Sequence, residues 1–89
     1  MTKQQFNKIV NEGIERNRDF MVVKIETAGN PGAEIIINPK ENFLQKARYY
    51  DKSYNDDMEL IKAKEAGKII KITDVLMTSN LNTLGWFAY

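Results

Sequence analysis

An alternating stretch of apolar and polar side chains constrains the fold of this chain more than any other feature. It covers residues 20–27, where Lys24 and Glu26 are separated by apolar neighbours. The apolar positions of one face are Met21, Val23 and Ile25. Because side chains alternate between the two faces of a strand, this spacing predicts a β-strand with one buried face.

The residues after this strand have the composition of a turn. Pro31 presets the φ angle of a turn position, and Gly32 accepts the positive φ that a type II turn requires. A second run rich in β-forming residues, 34–37, follows at once. We therefore expect residues 20–37 to form a β-hairpin.

An amphipathic helix is predicted ahead of the hairpin, over residues 3–18. Thr2 can act as its N-cap, with Gln5 in the position of a capping box. Apolar side chains recur at helical spacing at Phe6, Ile9, Val10 and Ile14. Gly13 lies beside this stripe, where a glycine is typical of close packing against another element.

Two more helices are predicted after the hairpin. Asn38 and Pro39 are favoured at the N-cap and first position of a helix, which we expect to run to about Tyr50. A second helix is predicted over residues 54–66. Its expected capping box is Ser53 with Asp56, and its expected stop is Gly67. The alternative is one longer helix, bent near Asp51.

The C-terminal part predicts one or two more strands. Residues 68–73 have the pattern of a third strand, which could continue to Met77. Residues 75–89 carry no charged side chain, and 84–89 are consistent with a fourth strand. The predicted fold class is α+β, in the order α-β-β-α-α-β-(β). We expect a small antiparallel or mixed sheet with helices packed on one face.

Composition bounds the class of protein. The 89 residues, 43% hydrophobic and 28% charged, predict a single globular domain, residues 1–89. Thirteen basic and twelve acidic residues give a net charge of +1, which disfavours a general nucleic-acid binder. The absence of cysteine, of a signal-peptide pattern and of a long apolar stretch favours a cytoplasmic protein with no membrane partner.

Catalysis and metal binding find little support in the sequence. There is no histidine and no cysteine, so the commonest general base, thiol nucleophiles and thiolate metal sites are absent. The densest acidic group is Asp56, Asp57 and Glu59. Its place at a predicted helix start is explained by the helix dipole. We expect no enzymatic activity, no cofactor and no metal.

The segment 46–54 is the strongest candidate for a binding surface. It contains two lysines, one arginine and three of the four tyrosines. Tyr50 and Tyr54 are expected in the core, whereas Tyr49 lies about 100° away around the helix and should be exposed. The candidate partner-binding residues are Lys46, Arg48, Tyr49 and Lys52. Tyrosine and arginine are enriched at protein-binding hot spots, so a protein partner is favoured.

Two other functions are consistent with the sequence. Nucleic acid could bind the same segment, with Lys46, Arg48 and Lys52 on phosphates and aromatic rings against bases. A homo-oligomer could instead form through the C-terminal strand, with Trp86, Phe87 and Tyr89 as the self-association residues. The composition, rich in Lys, Asn and Ile, resembles that of small accessory proteins of phages and prophages. A small regulatory or accessory protein-binding module is the leading hypothesis.

Overall fold

A three-stranded antiparallel sheet forms the centre of the computed structural model, which describes residues 1–87. The helices are α1 (Lys3–Glu15), α2 (Phe43–Ser53), α3 (Ile61–Glu65) and α4 (Leu84–Phe87). The strands are β1 (Phe20–Thr27), β2 (Ala33–Pro39) and β3 (Ile70–Thr78). The predicted α+β class and the order α-β-β-α-α-β are confirmed.

The predicted hairpin is confirmed, and β1 and β2 are two of the three strands of the sheet. Strand β1 lies in the middle, between β2 and β3, so the spatial order is β2-β1-β3. Val23 is opposite Ile36 on one side and Val75 on the other. Gly32 has a φ of +89°, the left-handed conformation that the turn prediction required.

A β-bulge at Thr73 sets which side chains of β3 face the core. Lys24 pairs with Asp74 and Ile25 pairs with Ile72, so Thr73 has no partner in the ladder. The extra residue shifts the alternation, and both Ile72 and Val75 are buried on the same face. The Oγ1 of Thr73 is buried without a hydrogen-bond partner among the described residues.

Helix α1 has the predicted start and a shorter end. Thr2 and Gln5 form the capping box in both directions. The helix ends at Glu15 instead of residue 18, and Asn17 follows with a φ of +58°. Ile14 is about half exposed, so its predicted place on the buried stripe is wrong. Gly13 does pack closely, because an added Cβ would lie 2.8 Å from the Cε of Met77.

The predicted helix start at Asn38 and Pro39 is wrong. Both residues belong to β2, and Pro39 ends the strand opposite Phe20. Asn38 is buried and donates its Nδ2 to the carbonyl of Met21 over 3.1 Å. A proline is tolerated at the end of an outer strand. A 3-10 turn, Lys40–Asn42, then leads into α2.

The helix predicted over residues 54–66 is present only in its last part, as α3, and residues 54–60 are not helical. Tyr54 is extended, which ends α2 and rules out a continuous bent helix. Residues 54–60 form a loop closed by a bridge between Tyr54 and Leu60. Asn55, not a capping box at Ser53, organises this loop: its Oδ1 accepts the N–H of Asp57 and Glu59 at 3.0 and 2.9 Å. Local side-chain bonds of this kind compete with a helix.

The core lies between the sheet and the elements that cover one of its faces, here called the inner face. Its buried members are Phe6, Val10, Met21, Val23, Ile25, Phe43, Tyr50, Tyr54, Met58, Ile72 and Val75. Met58 comes from the loop and is completely buried, with a φ of +60°. Val22 points to the opposite, outer face and is also completely buried, so β1 is covered on more than the one face predicted.

The predicted fourth strand is wrong for residues 84–87. A 3-10 turn, Leu81–Thr83, leads instead into the short helix α4. The hydroxyl of Thr83 donates to the carbonyl of Asn80 at 2.8 Å, and the Oδ1 of Asn80 accepts the N–H of Asn82. These bonds turn the chain back, and α4 borders a hollow beside Asp74 and Leu76 of the outer face. Residues 88 and 89 lie outside the described part.

Within residues 1–87, no helix has both the length and the apolar character that crossing a membrane requires.

Candidate partner-binding groove

Helix α2 presents one tyrosine to the core and the next one to the surface. Phe43 and Tyr50 are buried, whereas Tyr49 is 47% exposed. Tyr54, just beyond the helix, is buried as well. The predicted division between two core tyrosines and one exposed tyrosine is confirmed, because neighbouring positions on a helix differ by about 100° in direction.

The exposed tyrosine is held by the buried ones. The ring of Tyr49 makes edge contacts with Tyr50 and Tyr54, at centroid distances of 5.3 and 6.4 Å. Lys46 extends along the helix and places its Nζ 5.5 Å from the centre of the Tyr49 ring. Such aromatic and cation–π contacts fix the orientation of the ring before any partner arrives.

Tyr49 borders a concave surface of about 450 Å³ between the end of α2 and the start of α3. We call it the α2–α3 groove. Its lining residues are Tyr49, Lys52, Ser53, Leu60, Ile61, Lys62 and Glu65. Tyr49, Leu60 and Ile61 form an apolar part, and the charged side chains stand around it. Ile61 is also partly exposed, so the apolar part is open to solvent.

The loop 54–60 creates this groove. The bridge between Tyr54 and Leu60 reverses the chain, so α3 starts beside the end of α2. The N–H of Leu60 donates to the carbonyl of Ile70 over 2.8 Å, which anchors the loop to β3. Backbone hydrogen bonds therefore hold the wall of the groove that contains Leu60 against the sheet.

The structure brings together only part of the predicted site. Tyr49 and Lys52 line the groove, and Lys46 lies against the Tyr49 ring. Arg48 is exposed but is not among the lining residues. The sequence prediction missed the other wall, which is formed by Leu60, Ile61, Lys62 and Glu65. It placed these residues in a long helix, although the turn-forming Asn55, Asp56 and Asp57 were a local signal for a loop.

The two buried tyrosines belong to the core, and their burial shifts their pKa values. Burial raises the pKa of Tyr54 to about 12, and the neighbouring Tyr49, Tyr50 and Glu34 add to the shift. Burial also raises the pKa of Tyr50, partly offset by a hydrogen bond from Asn38 to its hydroxyl at 3.4 Å. Both hydroxyls therefore stay neutral at ordinary pH.

Of the acidic residues Asp56, Asp57 and Glu59, Glu59 has a structural role, and the group lies in the loop instead of at the helix start that the sequence predicted. Glu59 forms a 2.9 Å ion pair with Lys64 and accepts the Nδ2 of Asn55 at 3.1 Å. The hydrogen bonds from Lys64 and Asn55 lower the pKa of Glu59, and Glu59 in turn raises the pKa of Lys64. Among residues 1–87, no cluster of three or more candidate ligand side chains is placed to hold a metal ion.

The C-terminal aromatic residues lie away from the groove. Trp86 is 89% exposed, the largest exposure among the large apolar side chains of the described part. Phe87 is half-buried and shares a hollow with Leu76. Tyr89, the third predicted self-association residue, lies outside the described residues.

Comparisons with known proteins give no further guide to function. No protein-family model matches this sequence. The searches of curated proteins and of solved structures find no match either. The function has to be inferred from the groove and the exposed surfaces.

Proposed function

We propose that this protein is a non-enzymatic binding module that holds an acidic, partly apolar segment of a protein partner in the α2–α3 groove. The observation that carries the proposal is Tyr49, a half-exposed ring held in place beside the exposed Ile61. A rigid aromatic side chain next to an apolar patch is the common form of a binding hot spot.

The charges around the groove favour an acidic partner. Lys52 and Lys62 line it, Lys46 stands over Tyr49, and Glu65 is the one acidic lining residue. This local excess of positive charge contrasts with the nearly neutral chain as a whole. Complementary charge guides association and selects among partners.

The groove also suits binding because few of its side chains must become ordered when a partner binds. Tyr49 is already oriented by Tyr50 and Tyr54, and Leu60 is anchored by its bond to Ile70. Ordering a free side chain on binding costs about 0.5–1.5 kcal/mol. A prearranged tyrosine avoids most of that cost.

The test uses a displayed library of random peptides, selected on the immobilised protein. We expect enriched sequences that combine Asp or Glu with an apolar or aromatic residue. Tyr49→Ala should weaken these peptides at least tenfold, and Lys52→Glu should weaken the most acidic ones most. Ile69→Ala is the matched control, because Ile69 is 49% exposed and lies outside the groove lining.

Three results would contradict the proposal. They are a selection with no enrichment, peptides that bind Tyr49→Ala as tightly as the unchanged protein, and enrichment of basic peptides. Binding of single-stranded nucleic acid that weakens steeply with salt would favour the nucleic-acid alternative instead. That alternative has less support, since Lys46 already lies over one face of Tyr49.

The proposed setting is the cytoplasm, with an accessory protein of phage or prophage origin as the source. The lack of cysteine supports a reducing compartment. The small size and the Lys-, Asn- and Ile-rich composition support the origin. The peptide selection tests the groove whatever the compartment and the origin of the protein are.

A further inference from the structure

The two outer edges of the sheet differ in how their backbone groups are used. The edge of β3 is partly covered by the loop: Ile72 donates its N–H to the carbonyl of Met58 at 2.9 Å, and Leu60 donates to Ile70 at 2.8 Å. Among the strands that the structure describes, β2 pairs with β1 alone. Within residues 1–87, its other edge has no backbone hydrogen-bond partner.

Strand β2 also lacks most of the features that protect an open edge. Its seven residues include one charge, Glu34, and no lysine, and its proline stands at the very end. Three consecutive isoleucines occupy its centre, and Ile37 is 42% exposed on the outer face. Open edges with high β-propensity and low charge pair readily with another strand.

We propose that the occupant of this edge is a second copy of the chain, paired antiparallel through β2 about a two-fold axis at Ile36. The axis is perpendicular to the sheet, so the helix-covered faces of both copies lie on the same side. This arrangement overlaps the whole strand. It places Ala33 opposite Pro39, Glu34 opposite Asn38, and Ile35 opposite Ile37 of the second copy.

This register brings no like charges directly opposite each other and places isoleucine against isoleucine. Glu34 of each copy faces the neutral Asn38, and the two Glu34 positions stand about 13 Å apart along the strand. That separation exceeds the screening length of about 8 Å at physiological salt, so their repulsion is small. On the outer face, Ile35 and Ile37 of the two copies form a four-residue apolar cluster.

The size of this contact sets the expected affinity. Stable interfaces bury about 1,200–2,000 Å² in total, and one strand pair with six isoleucines falls short of that range. We therefore expect a reversible dimer with a dissociation constant in the micromolar range. Because no β2 residue lines the α2–α3 groove, this inference is independent of the proposed partner binding.

Sedimentation equilibrium over about 1–500 μM brackets that micromolar range and tests the dimer. The mass should rise from 10.3 kDa towards twice that value as concentration increases. Ile37→Lys should stay monomeric throughout. Ile69→Lys is the matched control, since Ile69 is an isoleucine of similar exposure outside β2, and it should associate like the unchanged protein.

A mixing experiment tests the register. In the proposed pairing, the new side chain of I37K faces that of I35E across the axis. Each variant alone should be monomeric, and an equimolar mixture should form a heterodimer. Circular dichroism checks that both variants are folded. If I35E is unfolded, the comparison of I37K with I69K decides whether the dimer forms through β2.

Two outcomes would overturn the inference. One is a monomer at every concentration. The other is association that persists in folded I37K but is lost in Trp86→Ser, which would place the contact on the C-terminal aromatic residues.

Discussion

The inner and outer faces of the sheet are built from the same strands but are covered very differently. On the inner face, helices α1 and α2 and the loop 54–60 bury a continuous aromatic and aliphatic core. On the outer face, Val22 is completely buried, while Ile37 and Trp86 remain exposed. Packing on the inner face therefore contributes most of the stability, whereas apolar side chains on the outer face remain exposed to solvent.

The two faces differ in burial because different side chains lie on them. Met21 and Val23 are matched by long apolar side chains from several elements, including Met58 from the loop. The outer face of the same strand carries Lys24, which is partly exposed, and Glu26, which is exposed. Alternation along one strand is enough to create both environments.

The largest expected effect comes from Met58, at the centre of the inner face. Met58→Ala removes a completely buried side chain and should lower the free energy of unfolding by about 2–5 kcal/mol, measured by urea denaturation. Met58→Gly gives the matched comparison, because the positive φ of +60° favours glycine. If backbone strain matters here, the glycine variant should be no less stable than the alanine variant.

Gly13 tests the contact between α1 and β3. In Gly13→Ala the new methyl group would overlap the side chain of Met77, and overpacking of this kind costs about 1–3 kcal/mol. Gly85→Ala is the control, since no heavy atom lies within 4 Å of its added Cβ. Equal stability of the two variants would show that α1 can move away from the sheet at no cost.

A third effect appears at alkaline pH. The folded pKa of Tyr54 is about 12 and its ordinary value is 10.0, so the unfolded chain loses the proton first. Stability is unaffected below pH 10 and should fall as the pH rises from about 10 to 12. In Tyr54→Phe this fall should be smaller, measured as the urea midpoint at each pH; an unchanged slope would contradict the assignment to Tyr54.

The smallest effect is expected on the outer face. Trp86→Ser should change the free energy of unfolding by less than about 0.5 kcal/mol, because the side chain is 89% exposed. A loss of more than about 1 kcal/mol would mean that the outer face contributes to the core after all. That result would weaken the contrast between the two faces.

Part of the candidate binding site could be predicted from the sequence, and part could not. The exposure of Tyr49 and the burial of Tyr50 and Tyr54 follow from helical geometry, which local spacing encodes. The second wall of the groove, with Leu60 and Ile61, depends on a loop that the local pattern presented as a helix. No prediction from spacing alone could place it.

The sequence by itself determined the hairpin, the capped first helix and the order of the elements, because periodicity and turn residues act over a few neighbours. The tertiary structure decided the rest. Asn38 stays in a strand because its amide bonds to the carbonyl of Met21 in the next strand. Met58 keeps a left-handed backbone because its side chain fills the core. In both places a contact between distant residues outweighs a local preference of about 1 kcal/mol.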